Sequence, residues 1–129
     1  MTIAEVGKRY DLTADTLRYY ERVGLIPAVP RTPGGKRDYA EADCRWVGFA
    51  KCMRSAGVQL EALVVYVALF QRGDDTLEAR RQILVGQRAL LANRLAGIQV
   101  SLDRLDQKIA RYEQHILPAE DQLRQRASQ

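Results

Sequence analysis

The spacing of hydrophobic and polar positions changes several times along the chain. Ile3, Val6 and Tyr10 fall on one helical face, with Thr2 placed to cap it. "DLT" interrupts that period. Thr13 then opens a second helical stretch, with Thr16 in the fourth place where a capping box carries Glu. The stretch runs to about Val23 and meets Gly24, a favoured C-terminal stop. Two short helices joined by a turn of a few residues predict a helix-turn-helix over residues 2–23. Residues 25–39, "LIPAVPRTPGGKRDY", carry three prolines, two adjacent glycines and no helical period. "TPGG" is a turn signal, and proline-interrupted arms suit an edge, so a small β-hairpin wing is expected.

Helical spacing returns over residues 40–56, where Trp46, Phe49, Ala50 and Met53 share a face and Gly57 ends it. A further helix over 59–72 places Leu60, Leu63, Val64, Val67 and Phe70 inward. These segments predict one unit over residues 1–72. Beyond it, the span from Thr76 to Leu117 holds no proline and only two glycines. Leu77, Leu84, Leu91, Ile98, Leu105 and Tyr112 recur at intervals of seven, and Leu95, Leu102, Ile109 and Ile116 form a second register. That is the a/d seam of a coiled coil over residues 75–117, with Asp75 as a candidate cap. Arg81 and Arg88 weaken the seam near its start. Such a stripe needs a partner, most simply the same helix of a second chain. Pro118 is expected to end the helix and leave 118–129 as a flexible tail.

Composition narrows the chemistry. The 129 residues are 47% hydrophobic and 28% charged, with a formal net charge of +4. Residues 1–57 hold ten Lys/Arg against seven Asp/Glu, and residues 58–129 hold ten against nine, so the excess lies in the N-terminal half. A mildly basic chain permits nucleic-acid binding. No apolar run approaches a membrane span and the N-terminus lacks a signal-peptide core, so a cytoplasmic protein with no membrane partner is expected. Cys44 and Cys52 lie eight residues apart on one predicted helix. That is a rise of about 12 Å, too far for a disulfide. A lone His115 gives too few ligands for a metal site, and neither metal nor cofactor is expected. A Gly-rich phosphate loop, a GxSxG elbow and an HExxH pair are all missing, so an enzyme is not expected.

The second helix concentrates long polar groups. Leu17 and Tyr20 point inward, whereas Arg18, Tyr19 and Arg22 fall outside, with Thr13 and Thr16 toward the helix start. Arginine bonds guanine or phosphate bidentately and a tyrosine hydroxyl suits phosphate. The wing adds Arg31, Lys36, Arg37 and Tyr39 around its turn, placed to reach a phosphate or a minor groove. The same helix could instead be a solvated surface, and the wing a solvated loop.

"TLRYYERVGLIP", followed by "GGKRDYAEAD", resembles the DNA-binding domain of the MerR family of bacterial transcription regulators. The order of winged helix-turn-helix, two helices and one long helix is similar too, over residues 1–117. The resemblance implies a mainly α homodimer with an antiparallel coiled coil at the bacterial nucleoid. It would bind double-stranded promoter DNA between overlong-spaced −35 and −10 elements and distort it for RNA polymerase. It implies DNA contacts at Arg18 and Tyr19, and at Arg37 and Tyr39 of the wing, with Arg31 and Lys36 as weaker ones. It also resembles the short thiol- and aldehyde-stress branch, which keeps a cysteine in a stretch like "FAKCMRSAGVQLEAL". Cys52 is then the sensor, with Lys51, Arg54 and Arg45 as nearby cations able to favour a thiolate; Cys44 reads as structural. The alternatives left open are a non-covalent small-molecule effector and a coiled-coil protein-interaction adaptor.

Overall fold

The computed structural model describes residues 1–128. Six helices follow in order: α1 (Ile3–Tyr10), α2 (Ala14–Arg22), α3 (Glu41–Ser55), α4 (Leu60–Arg72), α5 (Leu77–Arg111) and α6 (Leu117–Ser128). The chain divides into two compact units, Met1–Leu91 and Ala92 onward, with α5 beginning in the first and running into the second.

The start of the first unit is set by two threonines. Thr2 Oγ1 accepts the Glu5 amide at 3.2 Å, and Thr13 Oγ1 accepts the Thr16 amide at 3.1 Å, so each opens a helix by satisfying an orphan donor. Between the helices Asp11 takes the left-handed conformation (φ 54°) and the Leu12 amide donates to the Gly7 carbonyl at 2.9 Å. Gly7 lies so close to this turn that a β-carbon on it would sit 2.6 Å from the Leu12 carbonyl oxygen. The reversal from α1 to α2 is therefore held by backbone against backbone.

Val6, Leu17, Tyr20, Leu25, Ile26, Val29, Tyr39, Cys44, Val47, Ala50, Val58 and Leu63 form the core. Gly48 of α3 receives the Tyr10 ring, and Lys51 Nζ donates to the Tyr10 carbonyl, docking α3 on the end of α1. The inward face of α3 is Cys44, Val47 and Ala50; Trp46, Phe49 and Met53, expected to lead that face, are half-buried. On α4, Leu63 and Val67 are buried, as the spacing predicted, but Phe70 is 43% exposed. Trp46, Phe49, Tyr66 and Phe70 instead form an aromatic cluster beside the core, with Trp46–Phe70 ring centroids 5.0 Å apart. At the junction before α5, the buried Thr76 hydroxyl bonds the carbonyls of Leu69 and Gly73 and accepts from Arg80 Nε at 3.1 Å.

Residues 25–39 differ from the expected β-hairpin. Among the described residues a single antiparallel bridge, Arg31 to Arg37, is all that pairs there. Asp38 donates to the Pro30 carbonyl and Thr32 to the Lys36 carbonyl, closing a tight loop whose turn holds Gly35 at φ 82°. Pro27, Pro30 and Pro33 each lack an amide donor, so no ladder can extend. The segment is held instead as a strap by burying Leu25, Ile26, Val29 and Tyr39.

The C-terminal expectation also changes. α5 ends at Arg111, a π-helical turn spans Tyr112–Ile116, and α6 continues as helix to Ser128 through Pro118. The stretch read as a flexible tail is helical as far as Ser128, and Gln129 lies outside the described residues. A proline cannot donate to the carbonyl four residues back and crowds it; the widened turn just before Pro118 relieves that clash without ending the helix. No helix of the described residues is long and apolar enough to cross a membrane.

Candidate nucleic-acid interface

α2 is anchored from below. Leu17 is fully buried and Tyr20 nearly so, which turns Arg18, Tyr19 and Arg22 to solvent one helical step away. Burial pushes the Tyr20 phenol above its ordinary range, partly opposed by Arg54, so the ring stays neutral in the core. Outside, the Arg18 guanidinium pairs with Asp15 at 2.9 Å, and the Arg22 guanidinium lies over the Tyr19 ring, 5.4 Å from its centroid. The Asp15 side chain is almost wholly exposed, so this i,i+3 pair is weak and exchangeable for a phosphate. Thr13 and Thr16 are committed to each other, oxygen to oxygen at 2.8 Å, and to the helix cap.

The wing residues divide. Lys36 is exposed at the loop tip and Arg31 is exposed beside it. Arg37 is turned under the strap with its side chain only 20% exposed. Tyr39, expected to contact DNA, is instead packed in the core at 1% exposure. Its backbone amide donates to the Met1 carbonyl at 2.8 Å, pinning the strap end under α1. Its hydroxyl is buried without a hydrogen-bond partner among the described residues, and burial pushes the phenol upward.

Sequence reasoning missed Glu21, the centre of this arrangement. Its carboxylate accepts from Arg37 Nε at 2.6 Å, Arg31 Nη2 at 3.4 Å and the Val29 amide at 3.1 Å. The burial of Glu21 works against the charged form, but the bonds from Arg37 and Val29 and the charges of Arg37 and Arg31 outweigh it, leaving the carboxyl below its ordinary range. The available signal was an acid at the end of a helix whose two acids balance its two arginines, followed within reach by a strap of cations.

Cys52 is exposed on α3 and Cys44 is buried, with its sulfur 3.9 Å from that of Met1. Burial raises the Cys44 thiol, and Glu41 adds to that rise. The two cations flanking Cys52 bond elsewhere: Lys51 to the Tyr10 carbonyl and Arg54 Nη1 to the Val58 carbonyl at 2.7 Å. The nearby groove lined by Ala42, Arg45, Trp46, Phe49, Tyr66 and Phe70 has a volume of about 330 Å³.

Along α5 no residue is buried. Leu77, Leu84, Leu95, Ile98, Leu102, Leu105 and Ile109 of the seam are all exposed, as are its Tyr112 and Ile116 in the π-helical turn after α5; Leu91 is half-buried.

Residues 2–39, which hold α1, α2 and the strap, match the MerR family regulatory protein. The chain is 57% identical over 91 residues to the HTH-type transcriptional regulator AdhR of Bacillus subtilis, covering 70% of this chain and 65% of that protein. A MerR family transcriptional regulator from Listeria monocytogenes is 44% identical, with TM-score 0.95 over 99% of this chain and 97% of that one. The structure of HiNmlR, a MerR family regulator lacking the sensor domain and bound to promoter DNA, is 29% identical with TM-score 0.78, over 87% of this chain and 89% of that one. The chain belongs to the MerR family of DNA-binding transcription regulators.

Proposed function

We propose that the protein binds promoter DNA as a homodimer, through the exposed face of α2 and the tip of the strap, and distorts the duplex between −35 and −10 elements so that RNA polymerase can use them. The carrying observation is the division of α2. Leu17 and Tyr20 fix the helix in the core while Arg18, Tyr19 and Arg22 stand outside it. The similarity to HiNmlR, whose structure holds promoter DNA, supports promoter DNA as the partner. The exposed seam of α5 supplies the dimer contact, in an antiparallel coiled coil. The place of action is then the bacterial cytoplasm, at the nucleoid.

The test is footprinting on operator DNA, with a salt titration. The expected result is a symmetric footprint centred in a promoter spacer and an affinity that falls steeply with salt. Arg18→Ala should weaken binding by roughly 1–3 kcal/mol and lower the salt slope by about one, with little change in folding stability. Failure to bind duplex DNA of any sequence at low salt would favour an adaptor that binds protein.

The signal proposed is a thiol-reactive compound, such as an aldehyde, acting at Cys52, whose exposure allows attack. A second reading, a non-covalent ligand in the aromatic groove, draws support from the commitment of Lys51 and Arg54 to backbone carbonyls. The alkylation rate of Cys52 against pH, with buried Cys44 as internal control, separates the two. A rate that plateaus well below the ordinary thiol pKa of about 8.5 supports covalent sensing. A slow rate that climbs only in alkali, with Cys52→Ser still responsive, moves the signal to the groove.

A further inference from the structure

Glu21 ties together three separate points of the strap. Val29 lies before the Arg31–Arg37 bridge, and Arg31 and Arg37 are the two sides of it. One carboxylate, only 12% exposed, therefore fixes the loop against the end of α2. The two arginines are not equivalent in this arrangement. Arg31 gives Glu21 one longer bond and keeps 43% of its side chain exposed, whereas Arg37 gives the 2.6 Å bond from Nε and is largely covered. A guanidinium held through Nε beneath the loop orients the backbone that carries Lys36, its neighbour at the exposed tip.

We infer that Glu21 and Arg37 are positioning residues for DNA binding: they touch no phosphate, and set the place of the loop whose Lys36 and Arg31 do. This rests on the proposal that α2 and the strap form the DNA face. It has an unusual sign. Removing an acidic group from a surface that meets a polyanion ordinarily tightens binding through the lost repulsion. Here, removing Glu21 frees the loop and weakens binding. The effect on salt dependence separates this role from a phosphate contact, because each lost phosphate contact lowers the log–log slope by about 0.9.

The experiment uses the full chain and a duplex that the wild type itself selects from a random pool, with affinity measured across a salt series. Glu21→Gln and Arg37→Gln should each weaken binding about tenfold, as expected for a charge-assisted bond, with the slope unchanged. The double variant should bind no worse than either single one, because both break the same tie. Arg37→Lys keeps the charge but not the Nε–H donor, and should behave like Arg37→Gln. Lys36→Gln should lower both affinity and slope. Glu21→Gln binding as tightly as wild type or tighter overturns the inference, as does full affinity in Arg37→Lys or a slope reduced by about one in Arg37→Gln. If Glu21→Gln fails to fold, Arg37→Lys alone decides between the roles. A wild type that shows no salt-dependent duplex binding removes the DNA-face proposal itself, a different and recognisable failure.

Discussion

The α2–strap region and the long helix α5 both present many long side chains to solvent, yet their interactions are opposite. Around α2 and the strap, the apolar groups Leu17, Tyr20, Leu25, Ile26, Val29 and Tyr39 are buried, and the cations Arg18, Arg31 and Arg37 each meet a carboxylate. Along α5 most apolar groups are exposed and none is fully buried. The first region is complete within one chain; of its cations, the outward Arg18 is held by an exposed acid that a phosphate can replace. The second is complete only against another apolar surface. A region that satisfies itself should respond to substitution through folding, and one that does not should respond through association.

The largest expected effect tests the second half of that contrast. Ile98→Asp would place an unpaired charge in the α5 seam of each protomer, a loss of roughly 3–5 kcal/mol per buried charge. The dimer should dissociate at micromolar concentration in sedimentation, while the unfolding of the first unit moves little. A dimer that survives would show the seam to be misplaced. Gly7→Ala tests the first half and should act oppositely. Its β-carbon would press on the Leu12 carbonyl, a strain of about 1–3 kcal/mol. Thermal unfolding should fall accordingly, with sedimentation unchanged. Loss of dimer without loss of stability would break the contrast.

The smallest effect sharpens the boundary between frame and surface. The Tyr39 hydroxyl is buried without a partner, and an unmade buried hydrogen bond costs about 1–3 kcal/mol. Tyr39→Phe should leave the melting temperature equal or raised by a few degrees and leave operator affinity unchanged. A clear loss of affinity would return Tyr39 to the DNA surface.

Those positions also show what the sequence makes legible. The helices of the first unit follow from spacing and caps: Thr2 and Thr13 bond as the pattern indicates, and Leu17, Leu63 and Val67 are buried where period 3.6 puts them. The outward direction of Arg18, Tyr19 and Arg22 follows from the same period. Tyr39 could not be placed this way, because a strap has no period and its burial depends on what α1 and α3 leave open. Glu21 was hidden for a related reason: its partners lie eight to sixteen residues away across three prolines. Trp46, Phe49 and Phe70 sit at the edge of their helices' inward arcs, where period alone does not decide between core and groove. Pro118 reads as a stop unless the turn before it widens, and side-chain pattern does not reveal that adjustment.

Gly7 has a consequence for how such a protein can diversify. The distance between α1 and α2 is set where two stretches of backbone touch, with room for a hydrogen atom and no more. No outward side chain of α2 enters that spacing; of that helix only the inward Leu17 approaches Gly7. A substitution at an outward position of the helix therefore changes what is presented to solvent while the frame that aims it stays still. Position 7 is then the letter on which the frame depends, because any side chain there would press on the turn.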